Sequence, residues 1–387
     1  MKILIGLTYY RPHTSGLTIY VERLARALAV RGHQVTVLTS RYSKQLPGYE
    51  IMDGVEIIRA PVLMRISKGV IMPTFGLLAN HLVARTDVIN LHLPQLDAAG
   101  LALRGRLLKK PTITTYHCDL RMPEGMLSWL ANQGVHIMDD LAIRFSHRVV
   151  AYTRDYAENS PLIKKYLNKL EVILPPVIVP ANEINEVEEF RRKYNPQNQI
   201  PVIAMAARFA TEKGVEVLLA ALDNVMKRFP NALVWFAGPY KNIIGEEHYF
   251  ERLEPLINRY IKQEHWKFLD VLTPKQMASF YSCIDLLVVP SLNSTEAFGL
   301  VQIEAMLRKV PVIASNLPGV RQPVRIHGTG KIVPVGDSDA LADAIIEVIS
   351  QKSKYHFDIE NLTKMYSPDA IAAEYETLFE KIKEDLD

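Results

Sequence analysis

A chain of 387 residues exceeds the roughly 250 at which a single hydrophobic core stops growing, so two domains are expected. Its net charge of +3 and 48% hydrophobic content describe a globular protein and exclude a dedicated nucleic-acid binder, whose basic stripe would raise the balance further. Two cysteines, Cys118 and Cys283, are too few for a disulfide scaffold or a cysteine-based zinc site and read as free thiols.

The first segment, "MKILIGLTYY", is a strand without a charged and apolar leader, and no uninterrupted apolar run of about 18 residues occurs, so a cytoplasmic protein is expected. Short β-branched runs follow: "HQVTVLTS", "VEIIRAP", "DVINLH", "TITTYH" and "HRVVAYT", with helical patterns between several of them. This alternation is the wiring of a parallel α/β sheet. The first helix is the clearest, because Leu17, Tyr20, Val21, Leu24 and Leu28 recur at helical spacing and Gly32 follows as a C-terminal stop.

After "LEVILPPVIVP" and a polar loop the alternation restarts with "PVIAMAA", "ALVWFAG", "KFLD", "DLLVVPS", "PVIAS" and "KIVPVG", which predicts a second doubly wound domain. Pro175, Pro176 and Pro180 form a stiff connector at the join. The expected boundaries are 1–176 and 177–367, with a terminal helix over 368–387 that either domain could hold.

The segment "PSLNSTEAFGLVQIEAM" places Glu296 and Glu304 around Gly299, where a strand end turns into a helix. Amides at a helix start suit an anion, whereas carboxylates beside it suit hydroxyls. A diphosphate carrying a ribose on one side and a hexose on the other satisfies both. Either glutamate taken alone reads as an ordinary surface acid. Glu304, however, lies in the apolar helix "GLVQIEAML", where an unpaired carboxylate is costly. The string Asp337-Ser338-Asp339 precedes "ALADAIIEVI" and reads as a helix cap, and no metal ligand set is assigned.

Pro290-Ser291, Glu296, Phe298-Gly299 and Glu304-Ala305 together resemble the E-x7-E signature of retaining glycosyltransferases of family 4, and "ARFATEKG" resembles their arginine and lysine pair. The resemblance covers essentially the whole chain, more weakly in the amino-terminal half. It implies a GT-B fold, two doubly wound Rossmann-like domains facing across a cleft, with acceptor on the amino-terminal side and donor on the other. It further implies a retaining hexosyltransferase that needs no cofactor and takes a UDP-sugar or GDP-mannose as substrate. By the same resemblance Arg208 and Lys213 hold the diphosphate, Glu296 meets the transferred sugar and Glu304 the ribose. Phe298, Gly299 and Leu300 offer backbone amides, Phe268 borders the base, and Gly16 and His117 lie beside phosphate and sugar. Departures are Ser15-Gly16 where a glycine pair is usual, Asp270 where glycine is often found, and "LPPV" where many members have an Asn-Gly turn.

The competing readings are a nucleotide-sugar epimerase of the same architecture and a noncatalytic nucleotide-sugar-binding partner. No G-x-G-x-x-G turn supports an oxidoreductase. The acceptor is expected to be a glycan or lipid-linked molecule of the cell envelope. Arg65 and Lys68 in "PVLMRISKGVIMPTFGLL", with Arg106, Lys109 and Lys110 in "LRGRLLKK", read either as a patch for an anionic membrane surface at its inner face or as a lid loop and a solvated helix end.

Overall fold

The computed structural model describes residues 1–66, 69–120, 126–241, 243 and 245–386. The chain forms two compact units, one of Met1–Val177 with Met365–Asp387, the other of Ile178–Lys364. Lys68, named above in the basic patch, lies outside the described residues.

Unit 1 contains β1 (Lys2–Gly6), β2 (Gln34–Arg41), β3 (Tyr49–Met52), β4 (Val55–Pro61), β5 (Met64–Ile66), β6 (Gly69–Ile71), β7 (Val88–Leu93), β8 (Thr112–Tyr116), β9 (Arg148–Ala151) and β10 (Leu170–Val172). Eight strands make one sheet in the order β10-β9-β8-β7-β1-β2-β4-β3, and β5 and β6 form a separate hairpin. All neighbours in the large sheet are parallel except the edge pair β3 and β4. Every residue of β7 and β8 is buried, as strands covered on both faces require. Ile3 of β1 pairs with Val35 on one side and Val88 on the other, which fixes the register of the sheet centre.

Ser15 starts the first helix, Gly16–Val30, its hydroxyl accepting from the Thr18 amide at 3.2 Å. Tyr20, Val21, Leu24 and Leu28 turn into the core, and Gly32 takes φ +89° just past the end. The terminal helix, Pro368–Glu384, belongs to this unit and packs on Gly16–Val30. Its Tyr375 hydroxyl lies 2.8 Å from that of Tyr20 and 2.8 Å from Thr115 Oγ1, all buried, while Arg31 pairs with Glu376 at the rim.

Unit 2 contains β11 (Val202–Ala206), β12 (Leu233–Ala237), β13 (Trp266–Phe268), β14 (Leu286–Val289), β15 (Val312–Ser315) and β16 (Gly330–Val333). Their order, β13-β12-β11-β14-β15-β16, is all parallel and repeats the 3-2-1-4-5-6 arrangement of dinucleotide-binding sheets. Asp337 caps the helix Ser338–Ser350 by accepting from the Ala340 amide at 2.9 Å, so the D-x-D string serves a helix start.

Among the parallel strands of each large sheet the order reverses once, between β1 and β7 in unit 1 and between β11 and β14 in unit 2. Loops leaving the carboxyl ends of such strands diverge and leave room for ligands. Each unit therefore has one point at which to look for chemistry. β3, β10 and the β5–β6 hairpin were not anticipated from the sequence. They have three or four residues each, and β3 and β10 lie at the sheet edges, where no alternation of burial marks them.

Candidate active site

At the reversal point of unit 2, residues 207–214 follow β11 and residues 290–299 follow β14. Lys213 closes the first loop and Glu296 belongs to the second, and they meet with Nζ 2.7 Å from Oε2. Both side chains are largely covered, 16% and 21% exposed, which makes the pair stronger than a solvated one. Gly214 allows this approach. Its φ is +67°, and a Cβ there would lie 2.1 Å from the carbonyl oxygen of Pro290, so only glycine lets the loops touch. Leu292 N donates to Glu212 O at 2.9 Å and completes the seam.

Arg208 pairs with Glu212 at 2.6 Å and keeps 41% of its side chain exposed, so its guanidinium can add an anion without leaving its partner. Glu304 lies one helical turn beyond Leu300 and accepts from the Tyr281 hydroxyl at 2.9 Å. The burial cost noted for this acid is met by hydrogen bonding. Phe298 is 1% exposed, which leaves only its backbone for a ligand. Gly299 takes φ +79°, and Gln302 Nε2 donates to Phe298 O at 2.6 Å and to Val320 O at 2.9 Å, pinning the turn.

Phe268, at the end of β13, stacks on Tyr240 with ring centroids 3.9 Å apart and planes 7° from parallel. Asp270, standing where glycine is common in the resembling family, takes the left-handed φ of +56° that glycine favours. Its carbonyl accepts from Gly238 N at 2.8 Å.

In unit 1 the helix start at Gly16 is open, since a Cβ built there would meet nothing within 4 Å. His117 is different from an exposed ligand-binding ring. Its Nε2 lies 2.8 Å from His92 Nδ1, its Nδ1 meets the Tyr152 hydroxyl, and Tyr20 packs edge-on at 4.9 Å. Burial lowers its pKa to about 3 and that of His92 in the same direction, so both rings are neutral. Both ring nitrogens are engaged inside the unit and the backbone N–H donates to Leu93 O at 3.1 Å, which leaves His117 only its carbonyl oxygen to offer a ligand. Asp119, two residues on, accepts from Tyr116 at 2.9 Å and from Ser160 at 2.6 Å.

The reversal point of unit 1 encloses a cavity of about 190 Å³, lined by Thr8 and Tyr9 after β1 and by Pro94, Gln95 and Asp97 after β7. Sequence reasoning missed Gln95 and Asp97, because "LPQLD" reads as an ordinary turn; its place just after a fully buried strand is the signal that could have found it. Among the described residues no group of three or more His, Cys, Asp or Glu could hold a metal ion, and no helix is long and apolar enough to cross a membrane.

The family model described as Glycosyltransferase Family 4 matches residues 14–178, and that described as Glycosyl transferases group 1 matches residues 186–365. An uncharacterized glycosyltransferase of Methanocaldococcus jannaschii is 26% identical over 97% of this chain and 96% of its own. A phosphatidyl-myo-inositol mannosyltransferase of Mycobacterium leprae is 26% identical over 86% of this chain and 83% of its own. The structure of HepE from Anabaena in complex with UDP-glucose covers 100% of this chain and 99% of its own with a TM-score of 0.72 at 19% identity, a likeness of fold. The two models succeed one another along the chain in the order of its two sheets, and this protein belongs to the GT-B glycosyltransferases of the group 1, family 4 type.

Proposed function

We propose that the chain moves a hexose from a nucleoside-diphosphate sugar to a hydroxyl of a glycan or lipid-linked acceptor, with retention of anomeric configuration and without a metal. The observation that carries this reading is the Lys213–Glu296 pair at the reversal point of unit 2, which sets a cation and a hydroxyl-binding acid side by side. Lys213 and Arg208 take the diphosphate, Glu296 the hydroxyls of the hexose, and Glu304 those of the ribose. The stacked Phe268 and Tyr240 border the base. The UDP-glucose bound by HepE and the mannosyl transfer in the name of the mycobacterial relative support a UDP-sugar or GDP-mannose as donor.

In the transfer the bond from the anomeric carbon to the diphosphate oxygen breaks, and the bond to the acceptor oxygen forms on the same face. The acceptor proton passes to the departing diphosphate. Cations already in place stabilise the charge that develops there, and removing one such donor costs roughly 10²–10³ in rate. No side chain is assigned as a nucleophile, and the two glutamates bind hydroxyls in place of the acid and nucleophile roles of a hydrolase.

Peripheral contact with an anionic inner membrane face fits unit 1, where Leu77, Leu107 and Leu108 are exposed and Arg106 and Lys109 stand beside the last two. Flotation with anionic liposomes tests this part: binding that disappears when Arg106, Lys109 and Lys110 are neutralised supports it, and no binding removes it. The transfer itself is tested by incubating the protein with UDP-glucose, UDP-N-acetylglucosamine and GDP-mannose over a panel of sugar and glycolipid acceptors. Release of nucleoside diphosphate with a new glycoside of the donor's anomeric configuration is expected. Interconversion of sugars without a glycoside, or an inverted product, overturns the reading.

A further inference from the structure

Lys213 ends the single 3-10 turn Thr211–Lys213 and stands one residue before the helix Val215–Arg228. The start of a helix leaves N–H groups without partners inside it, and a side chain at the preceding position usually accepts from one of them. Neither start beside Lys213 is capped in that way. Ala210 precedes the first and has no polar side-chain atom, while Gly214 precedes the second, where the close approach of Pro290 admits no side chain.

Both caps come instead from the beginning of one other helix, Glu247–Lys262. Glu246 occupies its N-cap position, yet the side chain makes no capping bond there. Its Oε2 accepts from Thr211 N at 2.9 Å and from Thr211 Oγ1 at 2.8 Å. Three residues on, the Tyr249 hydroxyl accepts from Val215 N at 3.1 Å and donates to Glu216. The backbone is thus held two residues before Lys213 and two after, by partners 35 and 34 positions away from the residues they hold. Glu246 is 8% exposed, and the two hydrogen bonds offset the burial of its acid group.

A turn of three residues does not hold itself, because closing it orders several dihedrals for one hydrogen bond. Its own bonds are Lys213 N to Ala210 O at 2.9 Å and Gly214 N to Thr211 O at 3.3 Å. Its other ties belong to the site: Glu212 pairs with Arg208 and accepts from Leu292 N, and Lys213 pairs with Glu296. Without the Glu246 cap the residue that starts the turn is released, and the ammonium two residues on loses its fixed place.

We propose that Glu246 is a positioning residue for Lys213: by capping Thr211 it fixes the turn that aims the ammonium at the diphosphate of the donor. Glu246 acts through Thr211 and is assigned no contact with the ligand. The inference rests on the transferase reading for the role of Lys213, but its test needs no turnover.

Calorimetry on the full chain gives the dissociation constants of UDP, UMP, GDP and GMP, and the gain from the second phosphate is the ratio of the monophosphate constant to the diphosphate constant. For the base that binds, a gain of about thirtyfold is expected in the wild type, and Lys213→Ala should lower it about tenfold. Glu246→Ala should lower it about fivefold, while Glu246→Gln, which keeps an acceptor oxygen at the same reach, should stay within about twofold of wild type. Added to Lys213→Ala, Glu246→Ala should lower the gain no further, the mark of one residue acting through the other. An acid with a merely structural role would change the melting temperature and leave the gain alone. If Glu246→Ala does not fold, Thr211→Val, which deletes the hydroxyl half of the cap, should lower the gain about twofold and Thr211→Ser should keep it. A wild-type gain in Glu246→Ala or Thr211→Val, a loss in Glu246→Gln as large as in Glu246→Ala, or equal losses from Glu246→Ala with and without Lys213 overturns the proposal and leaves the transferase reading standing. A wild type that binds diphosphates no more tightly than monophosphates, or a gain unchanged in Lys213→Ala, removes the phosphate role of Lys213 and the proposal with it.

Discussion

Lys213 and Glu296, 83 positions apart, are joined by a 2.7 Å hydrogen-bonded ion pair that ties the loop after β11 to the loop after β14. On the proposed reading a diphosphate entering beside Lys213 would compete with that carboxylate, and the pair would hold the ammonium in place until the donor arrives. Lys213→Ala and Arg208→Ala are each expected to lose roughly 10²–10³ in kcat with changes in stability of about 1 kcal/mol or less. Steady-state kinetics with urea melts check this. Wild-type turnover in both variants would refute the phosphate role. Because these cations meet the phosphate charge, EDTA should leave the rate unchanged; loss restored by Mg²⁺ contradicts the metal-free reading.

The two acids should separate kinetically. Glu296→Gln is expected to lower kcat at least tenfold through the transferred sugar, whereas Glu304→Gln should raise the donor KM several-fold with kcat nearly kept. Tyr281→Phe, which removes the hydroxyl donated to Glu304, should reproduce the second pattern more weakly. Equal, small effects from both glutamates would return them to ordinary surface acids.

Gly214 and Gly328 share a left-handed backbone, φ +67° and +63°, but differ in what surrounds them. A Cβ on Gly214 would sit 2.1 Å from the Pro290 carbonyl, while one on Gly328 would meet nothing within 4 Å. Gly328→Ala should cost about 1 kcal/mol from the backbone alone. Gly214→Ala should cost about 2–3 kcal/mol and lower activity as well, because it pushes apart the loops carrying Lys213 and Glu296. Equal losses in urea melts would mean that the close approach is not what fixes this position.

Much of this architecture was legible in the chain. A strand such as β14 announces itself because burial on both faces demands an unbroken β-branched and leucine run, and the helix Gly16–Val30 because one face must be apolar. The residue types around Glu296 carry their chemistry in local spacing. What stayed hidden depends on partners distant in sequence: Tyr281 on Glu304, His92 beside His117, and Gln95 left without a partner across from Gly6. No local pattern distinguishes an engaged histidine from an available one. His117 was expected beside the sugar through its backbone or its ring, and both ring nitrogens are occupied within unit 1.

That occupancy has a pH consequence. An unfolded histidine takes a proton below about 6.5, but in the fold burial keeps His117 neutral down to about 3 and shifts His92 the same way. The folded pKa of His117 is depressed, so the stabilisation present at pH 7 is lost as pH falls from about 6.5 towards 3, by up to about 1.4 kcal/mol per pH unit, and His92 acts in the same direction. Asp139 works in the opposite sense, since burial raises it to about 8 and its folded form gains relative stability on acidification through that window. Imidazole Cε1–H signals isolate the histidines: both should hold their neutral positions from pH 7.5 to 5.0, and a midpoint above 5 in either would contradict the buried pair.

The helix Pro368–Glu384 reaches the ribosome's exit only after all of unit 2 has been made, yet it supplies Tyr375 to the buried hydroxyls of Tyr20 and Thr115. At roughly 5–20 residues per second, the nascent amino-terminal sheet waits on the order of ten seconds or more with that surface uncovered. Vectorial synthesis therefore completes the chain of the second unit before the first can close. Pulse proteolysis of stalled translation intermediates would show protection of the first unit appearing last.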